Sequence, residues 1–175
     1  ILHLIALHSA AGGSGYAVEF AGPMVESLDV EARLTLCNMA VEFSAFTGII
    51  APDTKVFEYL KGRPYAPVDE LWEQAMEYWS TLATDQGAHF DREIIIDCAD
   101  IAPTVTWGTS PQHAISIDGQ VPALISGDSD SRRSMEQALN YMGLESGQSI
   151  EGLPIQAAFI GSCTNSRLSD LRIAA

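Results

Sequence analysis

Short apolar runs alternate with longer stretches of helical periodicity along this chain, and that alternation constrains the fold more than any other feature. Tyr16-Ala17-Val18-Glu19-Phe20, Glu93-Ile94-Ile95-Ile96-Asp97, Ala114-Ile115-Ser116-Ile117 and Ile155-Gln156-Ala157-Ala158-Phe159-Ile160 have the length and apolar content of strands, with Ile49-Ile50 a shorter one. Residues 68–83 carry Trp72, Ala75, Met76, Trp79 and Leu82 at helical spacing, the clearest amphipathic helix in the chain. Residues 1–10 are helical in composition until Gly12-Gly13-Ser14-Gly15 breaks them off. Ser27 or Asp29 caps a helix running to about Phe46, with Gly48 as its C′ residue. Asp53 and Thr54 cap a short helix ending at Gly62, and residues 131–142 form another that Gly143 closes. Interleaved strands and helices bury their apolar faces as layers, so the expected class is α/β, built of layered α/β/α units.

The polar stretch from Asp118 to Ser131, with Gly119, Pro122, Gly127 and three aspartates, reads as a connection between structural units. It predicts an α/β domain over residues 1–120, a connecting segment and helix over 121–144, and the start of a following α/β domain over 145–175. Ile1 opens on an apolar run without a cap, and Leu171-Arg172-Ile173-Ala174-Ala175 stops without Gly or Pro. Together the two ends predict a piece of something larger. The strand–helix unit after residue 150 is too short to bury both its faces. Ile155, Phe159, Ile160, Leu168 and Leu171 are therefore expected to meet another chain or to stay loose, in preference to folding back.

Charge narrows the partners. Lys and Arg total 9 against 23 Asp and Glu, a formal charge of −14, which repels nucleic acid and anionic membrane surfaces. The charges are scattered, as a solubilising surface would have them. Cys37, Cys98 and Cys163 form no C-x-x-C pair, so neither a zinc ribbon nor a disulfide framework is indicated, and a reducing, cytoplasmic setting fits. The apolar start, residues 1–8, is too short to span a bilayer and has no basic leader.

Two places can carry chemistry. In Gly161-Ser162-Cys163-Thr164-Asn165-Ser166 a turn of small residues sets Cys163 between a strand and a helix, where the first amides of the helix would favour a thiolate. A partly buried, inert cysteine is the competing reading. In Cys37-Asn38-Met39-Ala40-Val41-Glu42, Asn38 and Glu42 are four apart and share one helical face, where an amide and a carboxylate can orient a substrate and move a proton. A solvated polar face doing nothing is the competing reading. Cys37 and Cys98 sit among apolar neighbours and read as core. His3, His8, His89 and His113 show no metal-ligand spacing beside a carboxylate. Gly12-Gly13-Ser14-Gly15 lacks the rest of a phosphate loop or dinucleotide fingerprint and reads as a turn.

Both stretches resemble the aconitase family. Gly161-Ser162-Cys163-Thr164-Asn165-Ser166 looks like the segment with the first cysteine ligand of its [4Fe–4S] cluster, and Leu36-Cys37-Asn38-Met39-Ala40-Val41-Glu42 like its Asn/Glu active-site helix. Ala51-Pro52-Asp53, Tyr59-Leu60-Lys61-Gly62-Arg63-Pro64, Thr106-Trp107-Gly108-Thr109-Ser110-Pro111 and Asn165-Ser166-Arg167-Leu168-Ser169-Asp170-Leu171-Arg172 narrow the likeness to large subunits of two-subunit isopropylmalate dehydratases. One departure is Gln112, where the family usually has Gly.

The resemblance implies an aconitase-like α/β fold and a hydro-lyase that converts 2-isopropylmalate to 3-isopropylmalate by dehydration and rehydration in leucine biosynthesis. It implies that Cys163 is one cluster ligand, that Asn38 hydrogen-bonds near the cluster, and that Glu42 acts on water or hydroxyl at the open iron. It also implies a small, swivelling-domain subunit as partner. Two further cysteine ligands in a C-x-x-C, substrate-binding arginines and first-domain histidines have no match in this chain. The chain alone is therefore expected to hold no cluster and to be inactive. Three other readings remain open at this point: a homoaconitase- or aconitase-type large subunit, a thiol hydrolase using Cys163, and a non-catalytic binding module.

Overall fold

The structure, a computed structural model, describes residues 1–124 and 129–175. Gly127 and Asp128 of the polar connecting stretch lie outside the described residues. The elements run α1 (Leu2–His8), β1 (Ala17–Glu19), α2 (Pro23–Ser27), α3 (Val30–Met39), β2 (Thr47–Ile49), α4 (Thr54–Leu60), α5 (Asp69–Ser80), β3 (Thr104–Thr106), β4 (Ala114–Ser116), α6 (Ser129–Met142) and α7 (Leu168–Ala174). One-turn 3₁₀ helices lie at Val41–Phe43 and Cys98–Asp100. The chain is α/β, as the alternation of elements predicts.

The strands form two small ribbons among the described residues. β1 and β2 pair in parallel, with Val18 opposite Gly48, and α2 and α3 make the crossover that a parallel pair requires. β3 and β4 pair antiparallel, with Val105 opposite Ile115, and α1 packs across them. Gly48 is a strand residue, not the helix C′ residue expected of it. A Cβ there would lie 2.8 Å from the Cys37 Cα and 2.9 Å from the Ala40 Cβ, so only glycine lets α3 approach β2 this closely. The left-handed residue after the 3₁₀ turn is Ser44, at φ 62°.

A buried guanidinium organises the first half. Arg33 on α3 is nearly inaccessible; its Nε donates to the Leu28 carbonyl, and its Nη2 to the Glu26 carbonyl and to the Asp53 carboxylate at 2.7 Å. Asp53 also caps α4, its Oδ1 accepting from the amides of Lys55 and Val56. Lys55 Nζ reaches back to the Glu26 and Ser27 carbonyls at 2.7 Å each. The carbonyls left open at the end of α2 are thus satisfied by two cations, and α2, α3 and α4 are tied at one point.

A second core gathers Trp107, Val121, Ala138 and Leu139, with Ile115, Met135, Leu144 and Ile150 packed against it. It draws on residues from both sides of position 120. His113 stacks on Trp107 with ring centroids 4.6 Å apart, and its buried Nδ1 has no hydrogen-bond partner. Gln112, the departure from the family pattern, accepts from the Ser9 hydroxyl and the Ala10 amide and so pins the end of α1.

Several expectations are corrected. Residues 93–97 form no strand; Ile95 is 95% exposed, and Cys98 lies exposed at the start of a 3₁₀ turn instead of in the core. Residues 155–160 form no strand either, and Ile155, Phe159 and Ile160 are exposed. An apolar run becomes a strand only beside another edge that takes its amides and carbonyls, and among the described residues neither run has one. The helix expected to run to Phe46 ends at Met39. The segment after residue 160 touches α3 through polar contacts, while Ile155, Phe159, Ile160, Leu168 and Leu171 stay exposed and do not fold back into an apolar core.

Asp53→Ala should destabilise the chain by about 3 kcal/mol, since it removes a helix cap and leaves the buried Arg33 charge without its counter-ion. Asp53→Asn, which keeps a capping oxygen, should cost less; urea denaturation midpoints check the order. Burial holds the His113 imidazole below its ordinary pKa. The unfolded chain therefore takes up that proton first, and stability falls as pH drops below about 6.5 until the folded-state value is passed. A His113→Asn variant should show a flatter stability–pH slope between about pH 7 and 5, measured by urea denaturation.

Candidate functional site

The site begins with the way α3 ends. Asp29 caps the helix by accepting from the Ala32 amide, and Asn38 lies on its last turn. The helix then tightens into the 3₁₀ turn Val41–Phe43, so Glu42 follows Asn38 on a different kind of turn. Buried Phe43 drives that change. Its ring fills the space beside Gly12 and Gly13, where added Cβ atoms would lie 2.3 Å and 2.7 Å from it. Asn38 and Glu42 are both solvent-exposed, and both face the same cleft.

Cys163 meets them there. An open cleft of about 440 Å³ is lined by Asn38, Glu42, Cys163, Thr164 and Cys37, with Val41 and Phe46 as an apolar lip. Cys163 sits in a turn held by Ser162, whose Oγ accepts from the amides of Thr164 and Asn165, both at 3.0 Å. Asn38 Nδ2 donates to the Thr164 carbonyl at 3.4 Å, across 126 residues of sequence. The structure thus joins the two sequence-predicted stretches in one place.

Two parts of the sequence reading change. The helix after Cys163 begins only at Leu168, and the Asp170 carboxylate accepts from the amides of Ser166 and Arg167. The helix therefore starts away from Cys163, and the two amides just before it are taken up by Asp170. Cys37, read as core, is half-buried and lines the cleft. Burial pushes its thiol pKa up, which keeps it protonated at neutral pH. The signal for Cys37 was available, because it adjoins Asn38; the apolar residues around it concealed it. Thr164 and Phe46 had no such signal, because only the turn geometry brings them in.

Cys163 is a free, exposed thiol at the mouth of the cleft and fits one ligand position of an iron–sulfur cluster. Among the described residues no three His, Cys, Asp or Glu side chains converge as a metal site. The thiol-hydrolase reading calls for a histidine beside Cys163, and among the described residues none lines the cleft. No helix among the described residues is long and apolar enough to cross a membrane. Iodoacetamide at neutral pH should modify Cys163 and Cys98 at least about tenfold faster than Cys37, whose thiolate fraction is suppressed; peptide mass spectrometry would read all three rates in one sample.

Comparison with known proteins agrees with the geometry. The chain is 61% identical over 158 residues to a 3-isopropylmalate dehydratase large subunit of Cupriavidus necator, covering 90% of this chain and 59% of that protein. It is 53% identical over 176 residues to a 3-isopropylmalate dehydratase large subunit of Bradyrhizobium diazoefficiens, covering all of this chain and 37% of that protein. The chain thus spans roughly a third to three-fifths of these relatives' length. The family model for aconitases (aconitate hydratase) matches residues 1–175, and the chain belongs to the aconitase family.

Proposed function

We propose that this chain forms part of the large subunit of an iron–sulfur hydro-lyase that isomerises 2-isopropylmalate to 3-isopropylmalate by dehydration and rehydration, a step of leucine biosynthesis. The observation that carries the reading is the convergence of Asn38, Glu42 and Cys163 on one cleft. The relatives' shared name, 3-isopropylmalate dehydratase large subunit, supports the substrate. In this reading Cys163 is one thiolate ligand of a [4Fe–4S] cluster that, when bound, supplies a Lewis-acidic iron with an open position.

The other roles belong to the chain's own groups. Asn38 spans the cleft by donating to the Thr164 carbonyl and so holds the Cys163 turn in place. The Glu42 carboxylate, open to the cleft, takes or returns a proton at the substrate. Val41 and Phe46 offer an apolar lip on the substrate's side. A small, swivelling-domain subunit closes the site from outside, and the assembly works in the cytoplasm. The proposed division is residues 1–120, 121–144 and 145–175, with the Trp107 core shared across the first border. Of the three cysteine ligands the family motif calls for, this chain matches only Cys163, and in this reading the chain is inactive alone.

In the assembled two-subunit enzyme, Cys163→Ser should lose the cluster's visible absorption and bound iron, together with nearly all turnover. Glu42→Gln should keep the cluster and lower kcat about 10²–10⁴-fold, the range of a lost acid–base group. Full turnover in Cys163→Ser, with iron content unchanged, would overturn the assignment.

A further inference from the structure

Three contacts between α3 and the last segment share one register. Glu31 accepts from the Ser169 hydroxyl, Thr35 Oγ1 accepts from Arg167 Nη1 at 3.0 Å, and Asn38 donates to the Thr164 carbonyl. Residues 31, 35 and 38 are spaced i, i+4, i+7 and so form one stripe along α3. Their partners descend as they ascend, so the segment runs antiparallel to the helix. The next step of that register sets Cys163 beside the 3₁₀ turn that carries Glu42.

Hydrogen bonds mark this register, and Leu168 and Ile173 of α7 remain largely exposed. Arg167 has the central place. It is part-buried, and its Nη1 bridges Thr35 Oγ1 and Asn165 Oδ1, 3.1 Å away, which joins the Cys163 turn to the helix through one nitrogen. Its amide donates to Asp170, which fixes the start of α7 at the same point.

We propose that Arg167 is a positioning residue for Cys163: through Thr35 it fixes the register of residues 162–169 on α3 and thereby places the thiol opposite Asn38 and Glu42. The proposal rests on reading Cys163 as a site residue, and it is tested without metal. Hydrogen–deuterium exchange of the full chain is followed by mass spectrometry on peptides covering 162–169. Arg167→Ala should speed exchange there about tenfold, the scale of one lost bridging hydrogen bond, with peptides around Trp107 and Leu139 unchanged. Thr35→Val should speed exchange in the same peptides, and the double variant should exchange no faster than Arg167→Ala alone, because Thr35→Val removes a contact that Arg167→Ala already removes. Arg167→Lys, which retains a nitrogen able to donate twice, should recover part of the protection.

Unchanged exchange in both single variants, or effects that multiply in the double variant, would overturn the proposal. Cluster retention by Cys163→Ser in the assembled enzyme would instead reject the ligand role and leave the Arg167 register standing.

Discussion

The fold's first half depends on one buried guanidinium. A charge in that position is tolerable only if it is paired and hydrogen-bonded, and Arg33 finds the Leu28 and Glu26 carbonyls and the Asp53 carboxylate. The requirement runs both ways. The end of α2 has carbonyls with no helical partner, and Arg33 and Lys55 supply their donors. The Arg33 hydrogen bond holds the Asp53 carboxyl below the usual carboxylate range. Asp53 is therefore held in its ionised form while it serves as both cap and counter-ion.

From that node the position of the site follows. With α3 fixed against α4, its other side lies against β2, and Gly48 sets how near it can come. Just beyond the helix, the Phe43 ring packs against the Gly12–Gly13 turn. The helix tightens after Met39, and Glu42 swings onto a 3₁₀ turn that still borders the cleft. The polar stripe of α3 then receives the Cys163 segment. Packing fixes the helix, and hydrogen bonds fix what lies on it.

Much of this was legible in the residues. Asp53 as a cap, the α5 stripe with Trp72 buried, and Gly143 in a left-handed conformation after α6 are local rules acting locally. Asn38, Glu42 and Cys163 stood out through the resemblance of their motifs to the aconitase family, since spacing alone left an inert cysteine and a solvated polar face as competing readings. The strands at 93–97 and 155–160 were not reliable, since apolar content says nothing about whether a neighbouring edge is present. Cys98 was misplaced with the first of them and lies exposed.

Sequence by itself determined the α/β class, the helix caps and the residue types capable of chemistry, because each depends on spacing of a few residues. Tertiary structure alone decided that Asn38 and Thr164, 126 residues apart, touch. It also decided that Cys37 faces a cleft and that Arg33 is buried instead of solvated. The physical reason is shared. Each of these outcomes depends on which surfaces meet across long loops, and a hydrogen bond or a buried charge is defined only once its distant partner is in place.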